Sequence, residues 1–396
     1  MSLTPELATA ADALRGYLDR IGFSQIFKFV AGLNQYGMTP SLVTRQTADD
    51  WSRFFDTVLR DETELSLAQC LMSGRPASRR TLSEAEKPVA DALIGADLLR
   101  AGDDDSIQTA GKQLISAFGA DLLIDRRIHF SGGGVHEVYI GPDSYWLLYY
   151  VDTAAIRRNH RAVDLCTGTG LAALYLSLFS DNVLATDIGE APLAMVNINR
   201  RLNRRESTVE IRRQDLTDTL DGRERFDVLT CNPPFVAFPP GYTATLYAHG
   251  TDADGLGYMR TIIERLPHVL APGGSAYLVA DLVGDRRQPH FIAELDEYAA
   301  AASMAIDVYI DNVIPASLQV PALSGYLESL NSGTDRAQIA LEFAAFQRDT
   351  LRAERYYMST LRLRTASPNP GVRVLQRYTP AAKAESDPWT QLLLAS

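Results

Sequence analysis

Apolar positions in the first hundred residues recur at helical spacing. In "PELATAADALRGYLDRIGF" (5–23), Leu7, Leu14, Leu18 and Ile21 fall on one face. "TADDWSRFFDTVLRDE" (47–62) repeats the pattern through Trp51, Phe54, Phe55 and Leu59, and its aromatic residues are expected in a core. "TLSEAEKPVADALIGADLLRAG" (81–102) opens with Ser83 and Glu86 at capping-box spacing and reads as helical to Gly102. The stretch from Ile107 to Ile128 then turns to short strands broken at Gly119. Helices closed by a small hairpin suggest a winged-helix-like end to an N-terminal region.

Beyond residue 130 the period changes. β-type runs alternate with helical ones: "RAVDLC" (161–166), "NVLATDI" (182–188), "VEIRRQDL" (209–216), "FDVLTC" (226–231) and "GSAYLVADLV" (274–283). Later strands are expected in "SMAIDVYIDNVI" (303–314), "YMSTLRLRT" (357–365) and "GVRVLQRYT" (371–379). Such alternation predicts an α/β fold with a parallel, doubly wound sheet. The expected division is a helical N-terminal domain at 1–129, for substrate recognition or dimerisation, and an α/β domain at 130–396. A helix-rich insertion near 316–355 is placed to cap a pocket.

Composition narrows the classes. A content of 46% hydrophobic and 22% charged residues in 396 is that of a globular chain. No apolar run approaches membrane-spanning length, and the N-terminus lacks a secretory pattern, so a cytoplasmic location without membrane contact is expected. Three scattered cysteines, Cys70, Cys166 and Cys231, point to reduced thiols. The six histidines show no ligand spacing, and no metal is expected. A net charge of −11 weighs against a dedicated nucleic-acid binder. The one basic run, Asn199 to Arg213, reads as a solvated helix face, with a phosphate-contacting patch as the alternative.

The candidate chemistry sits at the ends of the β-type runs. After Asp164, the loop holding Gly168 and Gly170 opens a helix, bringing backbone close to a ligand beside unpaired N–H groups. Asp187 ends the next strand, where a carboxylate can accept from both hydroxyls of a ribose. Asp215 ends the third, where it and the Leu216 N–H can read an adenine edge. Taken singly, each aspartate is equally a helix cap. The fourth run leads into "CNPPF" (231–235), where two prolines end the strand and hold Asn232 just past it.

"DLCTGTG", "ATDI", "RQDL" and "NPPF" stand in the order and spacing of the class I S-adenosylmethionine-dependent methyltransferases, which residues 130–310 resemble. More narrowly the chain resembles the N-P-P-F/Y branch, which includes release-factor-type glutamine methyltransferases and adenine amino-group methyltransferases. The resemblance implies a Rossmann-like seven-stranded sheet and S-adenosyl-L-methionine as cofactor, with S-adenosyl-L-homocysteine as product. It implies cofactor contacts from Asp164, Cys166, Thr167, Gly168, Gly170, Asp187, Ile188, Asp215, Leu216 and Asn232. It implies catalysis by Asn232, Pro233, Pro234 and Phe235. Cys166 departs from the glycine usual in the family. "GPDSYWLL" (141–148) resembles a substrate-side segment, so Asp143 and Tyr145, with His136 and Glu137 beside it, are candidate acceptor contacts; His249, which follows the "NPPF" loop, is another.

A planar amino nitrogen is a poor nucleophile because its lone pair is delocalised. Two acceptors for its N–H groups, the Asn232 Oδ1 and the Pro233 carbonyl, would favour the pyramidal nitrogen that forms as the methyl arrives. Phe235 would pack on the planar acceptor. The leading expectation is an N-methyltransferase acting on an amino, amide or guanidino nitrogen of a small molecule. The alternatives are a protein glutamine methyltransferase and, further off, an RNA adenine methyltransferase. A homodimer is compatible with the sequence.

Overall fold

The computed structural model describes residues 3–27, 65–125, 138–245 and 248–376. The expected helix with Trp51, Phe54, Phe55 and Leu59, and the candidates His136 and Glu137, lie outside the described residues. Two compact units form, each discontinuous in sequence. One comprises Met1–Ile128, His136–Pro142 and Thr167–Arg213; the other comprises His129–Val135, Asp143–Cys166 and Gln214–Ser396.

In the first unit, the helix Pro5–Ile21 starts where the Thr4 hydroxyl accepts the Leu7 N–H, and it stops at Gly22 in the left-handed region, φ 65°. Ala10, Ala11, Leu14, Tyr17 and Leu18 form its buried face. The Ser83–Glu86 capping box exists: the Glu86 N–H donates to Ser83 Oγ at 3.2 Å and the Ser83 N–H to Glu86 Oε2 at 2.9 Å. Glu86 is itself buried, and its Oε1 accepts from the Tyr17 hydroxyl and the Leu67 N–H, so a cap doubles as a junction between helices. The helix Lys87–Gly95 is shorter than expected. Asp97 takes a positive φ of 57°, and the chain leaves as a strand instead of continuing to Gly102. Strands β1 (Ala77–Ser78), β2 (Leu99–Ala101) and β3 (Ser106–Thr109) pair in the order β1-β3-β2. Strands β4 (Lys112–Ala117) and β5 (Ala120–Asp125) form the hairpin expected at Gly119, with Phe118 and Gly119 both at positive φ.

The alternating strands are β6 (Arg161–Leu165), β7 (Asn182–Asp187), β8 (Val209–Arg213), β9 (Phe226–Cys231), β10 (Leu270–Gly284), β11 (Ala305–Pro315), β12 (Arg355–Arg364) and β13 (Gly371–Gln376). Seven strands were expected in the methyltransferase pattern, and β13 adds an eighth. The first unit holds β7 and β8, which are parallel. The helix Glu190–Leu202 between them is tied to the N-terminal hairpin by side-chain amides that mimic a strand partner. Asn199 exchanges two hydrogen bonds with the backbone of Leu123, and Asn203 does the same with Asp121. The basic run is spent internally: Arg201 pairs with Asp12, Arg204 with Asp19, Arg212 with Glu210 and Arg213 with Glu190.

In the second unit the strand order is β13-β11-β12-β10-β9-β6. Strands β6, β9 and β10 are mutually parallel neighbours, whereas β12 runs antiparallel to both β10 and β11. The insertion is two helices, Ala316–Leu330 and Arg336–Asp349, and it is shorter than expected because Arg355 already pairs within β12. Leu327, Ile339 and Phe343 bury against Phe238 from the segment after "NPPF". Among the described residues no helix is long and apolar enough to cross a membrane.

Candidate active site

The first unit carries the glycine loop and the second aspartate. Gly168 and Gly170 both adopt positive φ, 53° and 83°. A Cβ on Gly170 would lie 2.4 Å from Val196 Cγ2, so this position demands glycine for two reasons. Asp187 is buried, and burial raises its pKa even though its Oδ2 accepts the Gly168 N–H at 3.1 Å and its Oδ1 the Gly189 N–H at 3.0 Å. The Ile188 N–H also acts on this carboxylate, which still has capacity for a further donor. Ile188 follows with 39% of its surface exposed, an apolar face beside a carboxylate. A ribose on Asp187 and a purine on Ile188 fit this donor set, which is the nucleoside half of S-adenosylmethionine. Thr167 is buried, and its N–H bonds the Thr186 carbonyl.

The second unit carries the rest. Asp164 is buried, and its Oδ1 accepts from the Thr230 hydroxyl at 2.8 Å, tying the end of β6 to β9. Cys166 sits at φ 51°, a left-handed conformation that glycine adopts without cost. That accounts for the residue usual at this place and marks the cysteine as held against its preference. Asp215 behaves as a helix cap: its Oδ1 accepts the Thr217 N–H at 2.8 Å and starts the turn Leu216–Thr219. Tyr258, which sequence reasoning passed over, lies close enough to Cys166 and Asp215 for both to act on its phenol, though burial is the larger cause of its raised pKa.

Register brings the chemistry to one edge. Leu165 pairs with Cys231 across β6 and β9, and Cys231 with Leu278 across β9 and β10. The start of the glycine loop, Asn232 and the last turn of β10 therefore all leave the carboxyl edge, where parallel sheets bind ligands. Asn232 is half-buried, and its Nδ2 donates to Asp143 Oδ2 at 2.5 Å and to Ser144 Oγ at 3.3 Å. Asp281 stands three residues beyond Leu278 on β10. Its carboxyl keeps a partial opening to solvent, yet dense surrounding protein and the negative charge of Asp143 push its pKa up to about 7. Tyr145, on the helix Pro142–Tyr149 with Asp143, is raised by burial alone.

The segment after Asn232 is held from two sides. Pro233 is buried, Pro234 and Phe235 partly so. Gly255, at φ 81°, packs on the Phe235 backbone, and a Cβ on Gly250 would lie 2.0 Å from the Gly255 carbonyl oxygen. The same turn is braced by Arg260, which pairs with Asp252, Asp254 and Glu294. On the other side, the Tyr326 hydroxyl accepts the Thr245 N–H at 3.0 Å, and Asn331 bonds both the N–H and the carbonyl of Thr243. His249 is exposed and lies edge-on to Phe238 at 5.5 Å, so it belongs to this packing. Ser144 lay inside "GPDSYWLL", whereas Tyr258, Gly255 and Asp281 had no spacing signal.

These strand-end residues lie in the part of the chain that is similar to known S-adenosylmethionine-dependent N-methyltransferases. Residues 140–288 match the family model described as "Methyltransferase small domain". The chain is 31% identical over 163 residues to a ribosomal protein uL3 glutamine methyltransferase of Neisseria gonorrhoeae, covering 39% of this chain and 52% of that one. It is 30% identical to a release factor glutamine methyltransferase of Bordetella pertussis, over 31% of this chain and 48% of the relative. It is 34% identical over 85 residues to a tRNA1(Val) (adenine(37)-N6)-methyltransferase of Bacteroides thetaiotaomicron, 21% of this chain and 35% of the relative. The chain thus spans about half the length of the curated glutamine methyltransferases it matches.

Proposed function

We propose that the protein is an S-adenosylmethionine-dependent N-methyltransferase and that its acceptor is the carboxamide nitrogen of a glutamine in a polypeptide. One observation carries the chemistry: the Leu165–Cys231 pair sets Asn232 one residue past the end of β9, beside the strand whose end opens the glycine loop. The glutamine acceptor is supported by the similarity to uL3 and release factor glutamine methyltransferases. The small molecule expected from composition gains no support from these relatives.

In the first unit, Gly168, Gly170, Asp187 and Ile188 would hold the nucleoside. When bound, the sulfonium of S-adenosylmethionine supplies an electrophilic methyl group. Asn232 Oδ1 and the Pro233 carbonyl would accept the two N–H groups of the acceptor and aim its lone pair. Pro233 and Pro234 have no N–H to compete for these oxygens, and their fixed φ keeps the carbonyls preorganised. Phe235 would cover the planar amide and exclude water. Residues 1–129 would grip the partner polypeptide.

An adenine amino group is a second reading. Phe235 in place of the tyrosine usual in the glutamine enzymes favours it, as does the match to the tRNA enzyme. The internal pairing of the basic run in the first unit weighs against it. The test is transfer of labelled methyl from S-adenosylmethionine to three acceptors: glutamine-containing ribosomal protein and release-factor polypeptides, total tRNA, and free glutamine amides. Label on a polypeptide glutamine, with about a 100-fold or greater loss in Asn232→Ala, supports the proposal. Label on tRNA alone establishes the second reading, and label on none refutes both.

A further inference from the structure

An asparagine amide has an acceptor end and a donor end of nearly equal size, so position alone does not say which one a substrate meets. At Asn232 the surroundings decide. A carboxylate has only lone pairs, so Asp143 Oδ2, 2.5 Å away, must face the Nδ2 end. The Ser144 hydroxyl at 3.3 Å takes the same nitrogen. Both partners come from the start of the helix Pro142–Tyr149, so one rigid element holds the amide by its donor end. Oδ1 is turned away from that helix and has no hydrogen bond among the described residues. With Asp143 removed, the amide would be free to flip and present N–H groups instead.

We propose that Asp143 is the positioning residue that sets the polarity of the Asn232 amide, and thereby restricts the site to acceptors that donate an N–H. The inference rests on the N-methyltransferase reading for its consequence, but the orientation itself is independent of it. A hydroxyl or carbon acceptor would lack the second hydrogen that the paired oxygens require. A ring nitrogen offering only a lone pair would meet Oδ1 lone pair to lone pair. Charge reinforces the arrangement, because Asn232 Nδ2 is the donor that satisfies a carboxylate close to the second carboxyl of Asp281. The charge acting on that second carboxyl is Asp143 from the helix, and Asp281 in turn acts on Tyr356 of β12, whose hydroxyl accepts from Gln347 Nε2 at 3.2 Å.

The test uses the full-length protein labelled with 15N-asparagine, the Asn232 side-chain resonances being assigned by their loss in Asn232→Asp. In the wild type, one amide proton should be displaced well downfield of its geminal partner by the carboxylate. In Asp143→Ala the two protons should approach the spacing of an exposed amide, while affinity for S-adenosylhomocysteine, measured by calorimetry, changes by less than about threefold. Methyl transfer to the acceptor identified above should fall 10- to 100-fold in kcat, with a smaller change in KM for S-adenosylmethionine. Asp143→Glu should recover part of both the displaced resonance and the rate. An unchanged Asn232 spectrum in Asp143→Ala overturns the proposal, as does a lost resonance with full methyl transfer retained. If the wild type methylates none of the acceptors, the N-methyltransferase reading fails, and the spectrum alone decides the orientation.

Discussion

Gly255 lies against the main chain of Phe235: a Cβ at 255 would sit 2.3 Å from the Phe235 carbonyl oxygen and 2.9 Å from the Ala237 nitrogen. The contact is backbone to backbone, so neither side can yield by changing a rotamer. The turn that supplies Gly255 is itself held by Arg260 and its carboxylates. The segment after Asn232 is therefore set by a contact that only glycine permits.

Gly255→Ala should displace the Phe235 carbonyl and its neighbours while leaving the glycine loop of the other unit intact. The positive φ adds strain of about 1 kcal/mol or more. The expected outcome is a 10-fold or larger drop in methyl transfer, with S-adenosylhomocysteine affinity unchanged by calorimetry. Equal losses in both would show that the turn supports the whole fold and not the acceptor side.

Asp281 makes stability pH-dependent in a predictable direction. Its folded pKa of about 7 exceeds the ordinary carboxylate value of roughly 4 that it takes in the unfolded chain. Below about pH 4 both states hold the proton and the group contributes nothing adverse. As pH rises through 4 to 7 the unfolded chain ionises first, so stability is lost across that window. Asp281→Asn should flatten this part of the Tm-against-pH curve relative to wild type. Parallel curves for the two proteins would refute the assignment.

The insertion meets the segment after "NPPF" through Tyr326. Its hydroxyl holds Thr245, and its ring stacks at 5.6 Å on Phe238. Tyr326→Phe keeps the stacking and loses the two hydrogen bonds to Thr245, a cost of about 1 kcal/mol each. KM for the acceptor should rise several-fold while kcat at saturation and cofactor affinity hold. Phe343→Ala removes a fully buried ring of the same cluster and should cost about 3–5 kcal/mol, seen as a lower Tm. No change in acceptor KM for Tyr326→Phe would leave the insertion without a role in holding this segment.

Much of the candidate site can be read in the sequence because the backbone sets where strand ends fall. Alternating β and helical runs dictate parallel strands, and parallel strands deliver their C-terminal residues to one edge whatever the side chains are. Asp164, Gly168, Asp187 and Asn232 could thus be named from spacing, and the glycines from the positive φ that a tight strand-to-helix turn requires. Asp215 was less certain in the sequence, and its hydrogen bond to Thr217 gives it a capping duty that spacing could not separate from ligand contact.

Other features depend on contacts between residues far apart in the chain, and no local pattern encodes them. Asp143 meets Asn232 across 89 positions, and the Ser83–Glu86 box becomes a junction only because Tyr17 and Leu67 arrive from other helices. The basic run near residue 200 reads as a solvated helix face with a phosphate-contacting patch as the alternative, and only the fold shows Asp12 and Asp19 paired with it. Sequence by itself determined the strand-end chemistry, since local backbone geometry follows from local residues. Tertiary structure decided which way the Asn232 amide faces and which charges remain free, since electrostatics and hydrogen bonding depend on distance in space and not along the chain.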